Sequence, residues 1–192
     1  DGTRDAFCSR FENGALVEFD FDAYHVRLIA RLIGYELPKG SVHTYFGKFY
    51  FGTNSLTSEQ YEQSKQITFR LLYGHIEKEF LKIPFSLWSE WKTNGYIKTP
   101  ILKRQLSKDS LSDMNQNKLF NYYLQALETE FTANRLYQLS GLLEKHKTCI
   151  ILYTYDSVLF DVPVREAKEI LPQIKSCLEG DDFPVKCKVG NI

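Results

Sequence analysis

Two runs with strand-like alternation lie far apart in the chain, VEFDFD near its start and IILYTYDSVLFDV near its end, and each delivers an aspartate, Asp20 and Asp156, at its boundary. Alternation with period two marks a half-buried strand. Both acids therefore fall where β structure stops. Between them, the segment SKQITFRLLYG carries helical spacing.

The remaining pattern fills in around these segments. Residues 15–21 read as a strand, residues 23–33 as a helix that Gly34 stops, and residues 35–54, with their glycines, proline and aromatics, as a connection without a long element of its own. A helix is predicted over 57–73, because Thr57 and Gln60 match a capping box and Gly74 follows the last turn. Residues 83–91 read as a short helix with Pro84 near its start, 96–104 as an edge strand or hairpin containing Pro100, and 113–147 as a long helix broken at Gly141. The runs 148–153 and 158–162 form a predicted hairpin around Asp156, followed by a helix over 165–178 interrupted at Pro172 and a last strand over 185–189. With no internal repeat, low-complexity tract or linker, one α+β unit is the simplest parse.

Composition narrows the function classes. Hydrophobic residues make up 43% and aromatics 15% of the 192 residues, enough for a core and against disorder. Lys plus Arg equals Asp plus Glu at 24 each, so any site for a polyanion has to be a local patch. Cys8, Cys149, Cys177 and Cys187 show neither a CxxC pair nor zinc-ligand spacing and read as reduced thiols of a cytoplasmic protein. No apolar run reaches the roughly 18 residues of a membrane span, and the polar N-terminus does not read as a signal peptide. The chain starts at Asp1 and has one methionine, Met114, which suggests a piece of a longer protein.

A pair of carboxylates at strand ends suits two divalent cations on one phosphate, because hard oxygen donors match Mg²⁺. Taken alone, each acid reads equally as a turn or cap residue. Lys65, Phe69 and Tyr73 recur four residues apart and share one helix face. A cation, a ring and a phenol in that row can address the phosphate, base and sugar of a nucleotide, and the same spacing fits a core-facing Phe and Tyr with a snorkelling Lys.

In order, these segments resemble motifs A, B and C of the family A DNA polymerases, the group of bacterial DNA polymerase I and many phage replicative enzymes. The motif A pattern D-Y-S-Q-I-E-L-R resembles the stretch from Asp20 to Arg27, keeping its first Asp and last Arg. The motif B pattern K-x-x-x-F-G-x-x-Y-G resembles the stretch from Lys65 to Gly74, keeping Lys65, Phe69, Tyr73 and Gly74. The motif C pattern V-H-D-E resembles Thr154-Tyr155-Asp156-Ser157. Further similarity lies in Val42-His43-Thr44 (family I-H-T), in Gly95 to Thr99 (G-Y-V-x-T), in Asn121 to Gln125 (N-x-x-x-Q) and in the closing FPVKCKVGN.

The resemblance implies a palm with an antiparallel sheet and helices over residues 1–34 and 95–192, and helical fingers over 35–94. The thumb and the exonuclease would lie outside the chain. It implies a DNA-directed DNA polymerase core with primer-template DNA and dNTPs as partners, in a bacterial or phage-infected cytoplasm. Asp20 and Asp156 would hold two Mg²⁺ ions, with Mn²⁺ able to replace them. Lys65 and His43 would meet the triphosphate, Phe69 the sugar and base, and Tyr73 the entry of the templating base. Arg27, Asn121 and Gln125 would contact primer-template or support the palm, and Lys103 and Arg104, in a basic cluster with Lys98 and Lys108, would track template phosphates or form a solvated loop.

Four departures bear on this expectation. His25 stands where motif A has Glu, the side chain that blocks a ribose 2′-hydroxyl, and is expected to fill that space and bond Tyr73. Tyr61 stands where motif B has Arg, leaving His43, Arg70 or Lys78 as substitute cations. Ser157 replaces the Glu of motif C, as in single-subunit RNA polymerases. Asp22 adds a carboxylate expected to be solvated or supporting rather than a metal ligand. A ribonucleotide-tolerant or RNA polymerase-like enzyme, and a non-catalytic palm-fold nucleic-acid scaffold, are the competing readings.

Overall fold

In the computed structural model, residues 7–73, 82–180 and 183–190 are described. The chain divides into two compact units, one formed by Asp1–Tyr24 with Phe131–Ile192 and the other by His25–Glu130. The architecture is α+β with an antiparallel sheet, as the sequence indicates.

The first unit is built on a four-stranded antiparallel sheet. Its strands are β1 (Ala15–Phe21), β4 (Cys149–Thr154), β5 (Ser157–Val162) and β6 (Val185–Val189), in the order β4-β5-β1-β6. Strands from the two ends of the chain thus lie side by side, with Phe19 opposite both Val158 and Cys187. One sheet face is apolar: Val17, Phe19, Val158 and Phe160 are buried, and the Phe19 and Phe160 rings meet edge to face at 5.7 Å. Helix α6 (Val164–Glu179) buries Ile170, Ile174 and Leu178, one stripe at i, i+4 and i+8. Pro172 does not interrupt it as expected. The carbonyl that Pro172 leaves without a partner belongs to Lys168, and both residues are exposed, so water can satisfy it while the buried stripe holds the helix together.

The second unit contains most of α1 (Tyr24–Ile33), then α2 (Val42–Phe51), α3 (Ser58–Tyr73), α4 (Lys82–Asn94), the hairpin β2 (Tyr96–Lys98) with β3 (Gln105–Ser107), and α5 (Gln116–Leu143) as far as Glu130. Helix α2 corrects the expectation of a bare connection over 35–54. Ser41 caps its start by accepting the Thr44 N–H at 3.3 Å, and Gly52, at φ 59°, closes its end. Gly47 inside it permits close approach to α3, since a Cβ there would lie 3.1 Å from Ser64 Cβ and 2.5 Å from Leu56 Cδ1. The capping box of α3 forms as predicted: the Gln60 N–H donates to Thr57 Oγ1 at 3.2 Å and the Thr57 N–H to Gln60 Oε1 at 3.0 Å. Gly74 and Lys78 fall outside the described residues. Gly141 does not break α5, which runs two residues beyond it; a single helical glycine costs only about 1 kcal/mol.

Candidate active site

Strand pairing places the two sequence-distant aspartates together. Asp20 lies opposite Ser157 in the β1–β5 ladder, and the Phe21 N–H donates to the main-chain oxygen of Asp156 at 2.8 Å. Asp156 itself occupies the turn between β4 and β5, after Tyr155, which sits at φ 48° with its ring exposed. A bulky residue in the left-handed region is strained, so this turn is held by its surroundings. The Thr154 and Ser157 hydroxyls hydrogen-bond across it at 2.8 Å. Ser157, buried, thereby braces the turn.

The carboxyl of Asp20 is pushed above the ordinary aspartate range, first by burial and then by the charge of Asp156, against the opposing effect of Lys188. Two acids that raise each other's cost of ionisation form a place where a cation is favoured. Among the described residues no cluster of three or more metal-ligating side chains occurs. The pair offers hard oxygens of the type Mg²⁺ accepts, and Mg²⁺ commonly completes its shell with water and substrate phosphate oxygens. The donor set therefore fits.

Asp22 is not solvated. It is buried, and its carboxylate is paired with Lys186 of β6. Lys188, two residues on, lies 3.4 Å from Glu18 and 3.8 Å from Asp20. These lysines face the acids because β1 and β6 pair antiparallel, Glu18 opposite Lys188 and Asp20 opposite Lys186. In the sequence, this segment is legible only as a closing strand. The signal was the two-residue spacing of lysines in VKCKV, which puts both on one face.

In the second unit, α2 carries His43 and α3 carries Lys65. Lys65 Nζ lies 2.8 Å from Glu62 Oε1 and 4.7 Å from the centre of the Tyr61 ring, so Tyr61 presents a face to the lysine. His43 is buried, its ring edge-on to Tyr61 at 6.3 Å, and its carbonyl accepts the Ser64 hydroxyl at 2.6 Å. Phe69 and Tyr73 follow Lys65 at four-residue steps along α3.

The other sequence candidates divide by exposure. His25 Nε2 contacts Glu128 Oε2 of α5 at 2.8 Å, a partner 103 residues away that the sequence did not reveal. Arg27 is buried and donates to the carbonyls of Pro38 and Gly40 at 3.1 and 2.9 Å. Lys103 and Arg104 are exposed at the β2–β3 turn, and Gln125 is exposed on α5. Asn121 Oδ1 is buried with no hydrogen-bond partner among the described residues. Sequence reasoning also passed over Glu130, buried, which accepts the Thr99 hydroxyl and, at 3.2 Å, the Leu102 N–H, and so holds the hairpin turn.

No family model matches the sequence, and no curated protein does. Among solved structures, the chain is similar to the POL domain of Pol1 from M. smegmatis, in complex with DNA primer-template and dNTP, with a TM-score of 0.79 at 16% identity. The match covers 98% of this chain and 41% of that one. The fold is therefore that of a DNA polymerase domain, and the chain spans less than half of the similar protein's length. No helix among the described residues is long and apolar enough to cross a membrane.

Proposed function

We propose that this chain carries the catalytic palm and fingers of a template-directed DNA polymerase of the family A type. The observation that supports it most is the pairing of Asp20 with Asp156 at the β1 end and the β4–β5 turn, within a fold shared with a polymerase domain. Residues 1–34 and 95–192 make the palm in this reading, and 35–94 the fingers. Thumb and exonuclease regions are partners supplied by the longer protein, so the chain alone binds primer-template weakly.

Asp20 and Asp156 would hold the metal ions, two Mg²⁺ or Mn²⁺, which would supply activation of the primer hydroxyl and charge stabilisation of the leaving pyrophosphate. The primer 3′-oxygen bonds the α-phosphorus as the bond to the pyrophosphate oxygen breaks, and the protein contributes position and charge. Lys65 leaves its exposed partner Glu62 for the triphosphate at little cost, since such pairs are worth about 0–1 kcal/mol. The Tyr61 face keeps the ammonium in place, and His43 adds a second triphosphate contact. Phe69 packs against sugar and base, and Tyr73 guards the entry of the templating base. Asn121, with its carbonyl oxygen unmatched, Gln125, Lys103 and Arg104 contact primer-template, and Arg27 supports the fold from within.

One observation favours ribonucleotide tolerance as a second reading. His25 is engaged by Glu128, so an imidazole rather than a carboxylate occupies the position that screens the sugar. Primer extension with dNTPs and with NTPs separates the two readings. Loss of extension in Asp20→Ala and in Asp156→Ala is expected under both; full extension by either variant overturns both.

A further inference from the structure

The acidic face of β1 carries its own cations. Glu18, Asp20 and Asp22 stand at two-residue spacing, and β6 lays Lys186 and Lys188 across them. The two lysines are bound differently. Lys186 contacts Asp22, a buried acid outside the proposed metal pair, whereas Lys188 spans Glu18 and Asp20, closer to Glu18 at 3.4 Å than to Asp20 at 3.8 Å. Its side chain is 61% exposed and free to swing.

We propose that Lys188 is a resident counter-ion of the metal-holding carboxylates, shared between Glu18 and Asp20 when no divalent cation is bound and held by Glu18 alone when one is. This rests on the assignment of Asp20 and Asp156 as metal-holding residues. The physical basis is Coulombic. A divalent cation beside Asp20 is repelled by an ammonium within contact distance of the same carboxylate, and Glu18, already the nearer acid, keeps the lysine paired when it leaves Asp20. An exposed, flexible lysine moves at small cost, because pairs at the surface are worth little. The lysine therefore holds two neighbouring acids compatible in the empty site and sets how much cation is needed to load it.

The test is Mn²⁺ binding to the 192-residue chain followed by electron paramagnetic resonance, without nucleotide or DNA. Lys188→Met is expected to tighten Mn²⁺ by about three- to tenfold at low salt, with the gain shrinking as ionic strength rises. Lys186→Met, which removes the partner of Asp22 and a cation that acts on Asp20 less than Lys188 does, is expected to tighten Mn²⁺ by less than Lys188→Met. Unchanged or weaker Mn²⁺ binding by a folded Lys188→Met chain, judged by circular dichroism, overturns the proposal. Asp20→Asn reports on the underlying assignment: loss of Mn²⁺ binding there with no effect of Lys188→Met defeats the counter-ion proposal alone. Retained binding in Asp20→Asn, or no binding by the unaltered chain, defeats both.

Discussion

The Phe21 amide and the Asp156 carbonyl are joined by a 2.8 Å hydrogen bond, which ties the turn of the β4–β5 hairpin to the end of β1 one residue beyond Asp20. With the pairing of Asp20 opposite Ser157, it brings together two acids 136 positions apart, from 20 to 156. Its strain and its charge repulsion are carried by the sheet, and the proposed function is what this cost serves.

Asp20→Asn is expected to stabilise the metal-free protein at neutral pH. The carboxyl is raised above 3.8 in the folded state by burial and by Asp156, so its ionised form is penalised there and the folded protein holds the proton more tightly than the unfolded chain. The penalty is present above the folded value and disappears as pH falls below 3.8. Thermal melts in chelator should show the variant's advantage near pH 7 and none near pH 3.5. An advantage that grows on acidification would contradict the sign.

Glu166 has the opposite linkage. Burial pushes its carboxyl up, but the N–H groups of Lys147 and Thr148 and the Thr148 hydroxyl outweigh this and hold it below 4.5. Its contribution is complete above 4.5 and is lost as pH falls through the lowered folded value. Glu166→Ala removes three hydrogen bonds at the entry to β4 and should cost about 1–3 kcal/mol at pH 7 in urea unfolding, less in acid.

Gly47→Val tests the α2–α3 contact. The added methyls must displace Leu56 and press on Ser64, which cannot retreat as easily because its Cβ is fixed to the α3 backbone. A loss of about 1–3 kcal/mol is expected. Because Lys65 follows Ser64 directly, the KM for nucleotide should rise more than kcat falls.

The sugar screen is tested at His25. His25→Ala opens the space beside the proposed sugar position and should raise ribonucleotide incorporation relative to deoxynucleotide by about tenfold. It also leaves buried Glu128 without this partner, costing about 1–3 kcal/mol, much of which Glu128→Gln in the same chain should recover. Unchanged sugar preference in the double variant would remove His25 from the pocket.

Local signals carried most of the fold in the sequence. The Thr57–Gln60 capping box, the alternation of β1 and the hairpin around Asp156 depend on neighbours within a few positions, and each formed where predicted. Gly141 was misread because an exposed helical glycine costs little, whereas the misreadings at α2 and Pro172 share another cause. There, residues with poor helix propensity were tolerated because something distant required or permitted them: Gly47 lets Ser64 approach, and the buried Ile170–Ile174–Leu178 stripe carries α6 past its proline. Of the candidate site, the placement of the two acids at strand ends and the helix that carries Lys65, Phe69 and Tyr73 were legible. The ion pairs Lys186–Asp22 and Lys188–Asp20 and the His25–Glu128 contact were not, because strand register and packing between distant segments leave no mark at any single position.

The most direct measurement is single-turnover primer extension by the protein carrying this chain, comparing Asp20→Asn and Asp156→Asn with the unaltered sequence at saturating Mg²⁺ and dNTP. Each variant should lose about a thousandfold or more in rate while remaining folded and binding primer-template as before. A rate within about tenfold of the unaltered protein, for either variant, would contradict the assignment of the two aspartates as the metal-holding pair.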